Sequence, residues 1–445
     1  MASTYLSRTP SSTGNQQIFT FSAWVKRTSL SSGYIFSQGY DSNNNNILYF
    51  KGGTHKLSLW NYQGGFQYLV STEAAYRDTN GWYHLVVSVD TTQATSSNRV
   101  KLYVNGEQIT SLSTGEEQYP SQNTNLIINS TYSFKVGSYW DGSVPFDGLM
   151  SHVHFIDGTA YDASAFGETD ANGVWKIKTS PSVTYGTNGF FILEDGNSVT
   201  DQSGNSNNFT VAGGTLTNTE DCPSNVFATW NALDNYYPAM TLSYGNTRAL
   251  TTAGRYTYIP STLGMTSGKY YAEIKCTAQS SSQEEYLIGI TSTSTTATTH
   301  EVGHYGNDYG YRGLNGNYRS SDVDGSYGST YTTGDIIGIA VDLDNNKLYF
   351  SKNGTWQNSG DPTSGATGTG AISITDPTST LLGGYFFAVC YFSSTNTGTY
   401  DANFGNGYFG TTAVASAGTN ASGIGIFEYD VPTGYTALST KGLNL

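Results

Sequence analysis

The chain has 445 residues, of which 52 are Gly, 35 are Tyr and only 12% are charged, and 20 basic against 34 acidic side chains leave a net charge of −14. A single core seldom grows past about 250–300 residues, so this length predicts two domains. The negative charge repels phosphate backbones and acidic lipid surfaces and excludes nucleic acid as an expected partner.

Residues 1–17 read as a polar N-terminal arm that docks the protein. Met1–Pro10 lacks a basic segment followed by an apolar core, so no signal peptide and a cytoplasmic site of synthesis are expected. The sequons at Asn129, Asn208, Asn353 and Asn420 are then expected to stay unmodified. Phe19, Phe21, Ala23 and Val25 alternate on one face of the first clear strand. Strands follow at spacings of about ten residues around Tyr34–Ser37, Ile47–Phe50, Lys56–Trp60 and Phe66–Val70, separated by Gly52-Gly53 and Gly64-Gly65, which is the rhythm of a β-sandwich. His84–Asp90 and Lys101–Gly106 form a hairpin, and Leu126–Ile128 and Phe134–Gly137 come next. Over Phe146–Gly158 the alternation predicts Leu149, Ser151, Val153 and Phe155 on one face and Met150, His152, His154 and Ile156 on the other. A short helical turn is expected at Ala163–Phe166, capped by Asp162.

Residues 214–246 read as a linker. Strands around Gly268–Lys275 and Tyr286–Thr291 then lead to the clearest signal in the chain, Gly334–Gly354. There Ile337, Ile339, Val341 and Leu343 share a face, Asp344-Asn345-Asn346 turn the strand, Leu348 and Phe350 point inward on the return, and Asn353-Gly354 make a second turn. Leu381–Phe392 is the longest apolar run, too short and too glycine-rich to cross a bilayer as a helix, so no membrane insertion is expected. The pattern as a whole predicts an all-β protein of two antiparallel β-sandwich (jelly-roll) domains in tandem: an arm over 1–17, a first sandwich over 18–213, a linker over 214–246 and a second sandwich over 247–445.

The order Phe-Thr-Phe-Ser-Ala-Trp-Val-Lys at 19–26, Gly-Trp-Tyr-His-Leu-Val at 81–86, Lys-Leu-Tyr-Val-Asn-Gly at 101–106 and Phe-Asp-Gly-Leu-Met-Ser-His-Val-His-Phe at 146–155 resembles the laminin-G/concanavalin A-like lectin jelly roll, over roughly residues 1–213. Gly268–Lys275, Tyr286–Thr291, the 334–354 hairpin, Gly384–Phe392 and Ala402–Asn406 are similar in order to the SPRY domain. This pairing, with Tyr-Leu-Ser-Arg-Thr-Pro-Ser-Ser at 5–12 and Val-Pro-Thr-Gly-Tyr-Thr-Ala-Leu at 431–438, resembles virion proteins of tailed bacteriophages. The resemblance implies a virion location, other virion proteins as partners and display of loops to a host-surface glycan or receptor. A decoration or adaptor protein that touches only virion proteins is the alternative, and a polysaccharide depolymerase stands third.

Chemistry-bearing motifs are few. His300-Glu301-Val302-Gly303-His304 matches H-E-x-x-H, but the motif needs a helix to bring both histidines to one face, and Gly303, Gly306 and the Ser/Thr run before it oppose one. Glycosidases on this fold need paired carboxylates, whereas Glu116-Glu117 and Glu284-Glu285 are adjacent and point to opposite strand faces, and Glu428-Tyr-Asp430 lacks a third acid. Cys222, Cys276 and Cys390 give neither a disulfide framework nor a zinc pattern. No catalytic residue, resident metal or cofactor is expected, and Asp41, Asp141 and Asp147 are sparse as calcium ligands. Recognition remains: sugars stack on aromatic rings while amides and backbone groups take their hydroxyls. Tyr305, Tyr309, Tyr311 and Tyr318, within a tyrosine-rich stretch reaching Tyr331, and the Tyr139-Trp140 tip are the candidate ligand contacts. No heptads or collagen-like repeats point to a fibre trimer, so a homo-oligomer stays open.

Overall fold

The computed structural model describes residues 4–194, 196, 198–235, 239–252, 255–279, 285–293, 301–393 and 396–445. The chain divides into two compact units, Met1–Asn218 and Thr219–Leu445, and each is an all-β sandwich.

In the first unit, one sheet has eight strands among the described residues. They run in the order Leu112–Gln118, Phe66–Ala75, Lys56–Gln63, Asn44–Phe50, Gly33–Asp41, Phe134–Val136, Tyr5–Arg8, Thr210–Gly213, and every pair is antiparallel. The facing sheet orders Phe190–Ile192, Gly148–Asp157, Ile18–Arg27, Tyr83–Asp90, Val100–Val104 and Glu107–Gln108. Phe19, Phe21, Ala23 and Val25 enter the core between the sheets, opposite Phe36, Leu48, Phe50, Leu57 and Leu59. The arm expected over 1–17 is not free: Tyr5–Arg8 pairs on both sides, and Leu6 is a core residue. An apolar side chain at alternate spacing inside a polar run was enough to recruit that segment as a strand.

One strand departs from strict alternation. In Gly148–Asp157 the register against Ile18–Arg27 shifts between Ser151 and His154, and His152 sits at φ +48°. A one-residue bulge swaps faces beyond it. Met150 therefore packs toward the core beside Val25, the reverse of the expected side, while Val153 and Phe155 keep their core positions. The outer face of this sheet is covered by residues 161–185. Their Tyr161, Phe166, Trp175, Val183 and Tyr185 pack on Val86, Tyr103 and Ile156, and Asp162 caps the short 3-10 turn Ala163–Ala165 by accepting from the Ser164 N–H. Gly106, at φ +87°, lets Trp175 lie against the chain, since a Cβ there would come within 2.6 Å of the indole.

The second unit repeats the scheme. Its larger sheet, of nine strands among the described residues, runs Thr241–Ser243, Arg248–Leu250, Gly398–Asn403, Lys269–Gln279, Ile336–Asp342, Lys347–Lys352, Thr355–Trp356, joined by Ile372–Ser373 and Thr436–Ala437. The smaller one orders Arg255–Pro260, Phe386–Ser393, Glu285–Thr291, Tyr309–Arg312, Asn317–Ser320 and Val323–Ser326. The expected hairpin is its centre: Ile337, Ile339, Val341, Leu343, Leu348 and Phe350 are all core. Asn353 (φ +49°) and Gly354 (φ +78°) turn Lys347–Lys352 into the short strand Thr355–Trp356, as Asn105 (φ +50°) and Gly106 turn Val100–Val104 into Glu107–Gln108, both central residues being left-handed as a two-residue hairpin requires. Residues 219–246, expected as a linker, belong to this unit where they are described. Trp230 is fully buried in the core, and its indole N–H donates to the Thr247 carbonyl. Pro238 lies outside the described residues.

The C-terminal segment closes the outer face of the large sheet. Phe427, Val431, Tyr435 and Ala437 form a second apolar layer with Tyr271, Ala340 and Tyr349. Glu273, on the central strand and fully buried, fastens it. Its carboxylate accepts the N–H groups of Glu428 and Tyr429 (2.8 Å each), the Tyr271 hydroxyl and the Asn403 amide. Burial pushes this carboxyl up to about 7 against the pull of those four donors.

Candidate functional site

The tyrosines expected to bind a ligand in the second unit are largely structural. Tyr309 and Tyr311 lie on Tyr309–Arg312, whose inward residues fill the core, so both rings are buried. Their hydroxyls are used internally: Tyr309 accepts from the Thr375 N–H, and Tyr311 donates to the Ser329 carbonyl. Tyr327 and Tyr331 are buried too, and half-buried Tyr318 packs on the same core. Rings with neither face open cannot stack on a sugar. Tyr305 alone of the four named candidates is exposed, and it meets His304 edge-on at 4.7 Å.

The metallopeptidase-like motif gives no metal site. His300 lies outside the described residues. Glu301 pairs with Arg319 at 2.5 Å, and His304 Nδ1 faces Asp322 at 2.7 Å. Asp308 is buried and accepts from the Thr291 hydroxyl, burial lifting its carboxyl to about 6. Glu284 also lies outside the described residues. Glu428 and Asp430 accept backbone N–H groups of Ala415 and Thr419 within the C-terminal segment. Asp41 and Asp141 likewise cap their own turns, through Asn43 and Ser143, and Asp147 accepts from Thr28. Among the described residues no group of three or more His, Cys, Asp or Glu could hold a metal ion.

In the first unit the Tyr139-Trp140 tip is part of something larger. Leu48, Phe50, Leu57 and Leu59 point into the core, so the alternating Tyr49, Ser58 and Trp60 face outward from the eight-stranded sheet. There Tyr34 and Tyr49, cross-strand partners, stack at 4.9 Å with planes 10° apart. Tyr139 leans on Tyr34 at 4.9 Å and Trp140 on Tyr139 at 5.7 Å. On the other side Trp60 meets Tyr49 edge-on at 5.0 Å, Phe66 meets Trp60 at 6.3 Å, and Tyr62 meets Phe66 at 5.0 Å. Seven rings thus form one continuous chain across the face. All are half-buried except Phe66, which is exposed. Trp60 is held in place by its indole N–H donating to Asn45 Oδ1 (2.7 Å), and Asn45 is anchored to the carbonyls of Asp41 and Ser42.

A polar rim borders these rings. Lys51 pairs with Glu116 at 2.5 Å and Lys56 with Glu73 at 3.0 Å, while the Ser58 and Ser71 hydroxyls, 2.6 Å apart, are fully buried. Burial works to raise the Glu116 carboxyl, but its hydrogen bonds to Lys51 and Ser71 and the charge of Lys56 outweigh it and hold the group below its ordinary value. An ionised, lysine-paired carboxylate accepts hydrogen bonds; it does not serve as the protonated acid that glycoside cleavage requires. Apolar faces beside ammonium groups and ionised carboxylates suit a sugar, with its C–H face on a ring and its hydroxyls on the charged pairs. Tyr34, Tyr49, Trp60, Tyr62 and Phe66 were missed from sequence. The available signal was that the strands around 47–50 and 57–62 carry large rings at positions alternating with an already complete apolar face.

The chain is thus an all-β protein of two antiparallel β-sandwiches. Residues 2–164 match the family model described as the concanavalin A-like lectin/glucanases superfamily, and residues 269–405 match that of the SPRY domain. A 47-residue stretch is 51% identical to the Ran-binding proteins 9/10 homolog of Drosophila melanogaster, covering 10% of this chain and 5% of that protein. Another match, of 89 residues, is 36% identical to Ran-binding protein 9 of Homo sapiens, covering 20% of this chain and 12% of that protein. The chain thus spans only a small fraction of the length of these relatives. Among solved structures, the SPRY domain of human HERC1 is similar with a TM-score of 0.28 at 17% identity, over 35% of this chain and 87% of that one. A heptameric SAP-like pentraxin from Limulus polyphemus is similar with a TM-score of 0.27 at 17% identity, over 36% and 71%.

Proposed function

We propose that this chain is a non-catalytic recognition protein of a bacteriophage virion, a tail fibre, appendage or capsid-attached knob, whose first sandwich binds a host-surface glycan across the Tyr34–Tyr49–Trp60 face. The observation that carries the binding reading is the unbroken chain of rings on the outer face of a lectin-like sheet, bordered by the Lys51–Glu116 pair. Contiguous apolar surface with a polar rim marks a binding surface in proteins generally. The virion placement is supported by the Tyr-Leu-Ser-Arg-Thr-Pro-Ser-Ser opening, the pairing of the two domain types and a Gly/Tyr/Ser/Asn-rich, charge-poor composition. Glycan-array binding by the full chain tests the first part. Binding should be lost in Trp60→Ala and in Tyr49→Ala, and an array without any hit would sink it. Labelling the chain in intact particles tests the second, an outward position being expected.

A decoration or adaptor role, in which the same face meets another virion protein, is the alternative. It predicts no glycan binding and a mixed protein interface that buries Trp60 and Phe66. Depolymerase activity stands third, and reducing-sugar release abolished by a single carboxylate change would favour it.

A further inference from the structure

A cleft of about 410 Å³ lies in the first unit between residues 7–11 and 206–210. It is broad and open rather than enclosed, so a ligand there would be held by its polar lining. Five hydroxyl side chains, two amides and one guanidinium line it, and no carboxylate does. The guanidinium is Arg8, at the end of strand Tyr5–Arg8.

Arg8 is poorly satisfied. Nη2 donates to Asn207 Oδ1, while Nη1 is enclosed without a hydrogen-bond partner. The carboxylate that it feels is Asp201. Both Asp201 oxygens are already committed to the N–H groups of Phe191, Ser203 and Asn207 and to the Ser203 hydroxyl, so Asp201 offsets the charge without bonding it. Nη2 carries a second N–H beyond the one given to Asn207, so an anion in the cleft would meet a charge-assisted donor. Around it, Thr9 and Ser206 are exposed and make no side-chain hydrogen bond among the described residues. Asn208 uses its Oδ1 to accept the Asp201 N–H, which leaves its amide N–H₂ as a donor. In a chain of net charge −14, a cation with free donors beside it and no acid in the lining is a local exception.

We propose that this cleft is an oxyanion site that takes the carboxylate or sulfate of an acidic sugar, with Arg8 as the counter-ion and Thr9, Ser206 and Asn208 as hydroxyl partners. It is separate from the aromatic face: Tyr5–Arg8 is two strands removed from Gly33–Asp41 in the sheet. The site therefore stands or falls on its own.

The test is calorimetric titration of the full chain at low salt with sodium galacturonate, galactose and sodium sulfate. At least one of the two anions should bind roughly ten-fold or more tightly than galactose. Galacturonate tighter than sulfate would identify a sugar-borne carboxylate, and equal affinity would identify the bare oxyanion as the recognised group. Thr9→Glu, which places a carboxylate beside Arg8 at an exposed position, should cut anion binding by about the same factor, as should Arg8→Gln, while Trp60→Ala should leave it unchanged. The Thr9 side chain makes no hydrogen bond among the described residues, so that variant stays informative if Arg8→Gln unfolds. Anions binding no better than galactose, or anion binding that survives Thr9→Glu, would overturn the proposal.

Discussion

The two units are built alike and finish their larger sheets differently. In the second, the C-terminal segment lays Phe427, Val431 and Tyr435 on the outer face and Glu273 ties it down, so Tyr271 and Tyr349 on that face are covered. In the first, no such layer forms over Tyr34, Tyr49 and Trp60 among the described residues, and the chain covers the smaller sheet instead with Trp175, Tyr185 and Phe166. The lesson is that a tyrosine's role follows from whether the chain has spare length to cover its sheet, since the ring is equally at home as core or as contact surface.

Acid should separate the two units most strongly. Beneath the covering segment of the first, His84 Nδ1 accepts from the Trp175 indole at 3.0 Å while His84 Nε2 faces the Ser22 hydroxyl, and His154 lies 3.0 Å from the Tyr185 hydroxyl. Burial depresses His84 to about 3 and His152 to about 4, and drives His154 down as well. These groups are neutral when folded and titrate near 6.5 when unfolded, so their contribution is present above that value and is lost as pH falls. The loss is roughly 3 kcal/mol for a fully buried ring by pH 4. Trp175 fluorescence followed from pH 7 to pH 4 should report release of the segment.

Glu273 carries the opposite sign. Its folded value, about 7, lies above the ordinary carboxylate range, so its contribution is full below about 4.5 and falls as pH rises through 7. Glu273→Ala should nonetheless destabilise the second unit by about 3 kcal/mol, because it strands two backbone N–H groups and opens a cavity. Hydrogen exchange should show lost protection in residues 427–431, with the first unit unaffected.

Smaller effects sharpen the contrast between tyrosines. Tyr49→Ala should reduce glycan affinity by about 1–2 kcal/mol with little change in melting. Tyr311→Phe should do the reverse, costing about 1 kcal/mol of stability through the lost bond to the Ser329 carbonyl and leaving binding intact. Thermal melting and titration of the two variants side by side read both.

Much of the architecture was legible in the sequence. Ile337, Ile339 and Val341 alternate strictly and lie in the core, and Asn353-Gly354 turns where its left-handed preference dictates. The short turn at 163–165 was legible from its Asp162 cap. What escaped depends on tertiary events that leave little local trace. The bulge at His152 adds one residue to a strand and exchanges the faces of Met150 and its neighbours. Strand Tyr5–Arg8 carries a single core residue, Leu6, in polar company. Tyr309 and Tyr311 lie in the core for a related reason: the density of tyrosine over 305–331 was visible, but the inward face of Tyr309–Arg312 was set by packing against Phe350 and Tyr331, far along the chain.

The most direct test is glycan-array binding by the full chain, repeated with Trp60→Ala and with Tyr311→Phe. Binding that disappears with Trp60→Ala and persists with Tyr311→Phe is the predicted result. Binding that survives Trp60→Ala and Tyr49→Ala alike, at wild-type strength, would contradict the assignment of recognition to the open face of the first sandwich.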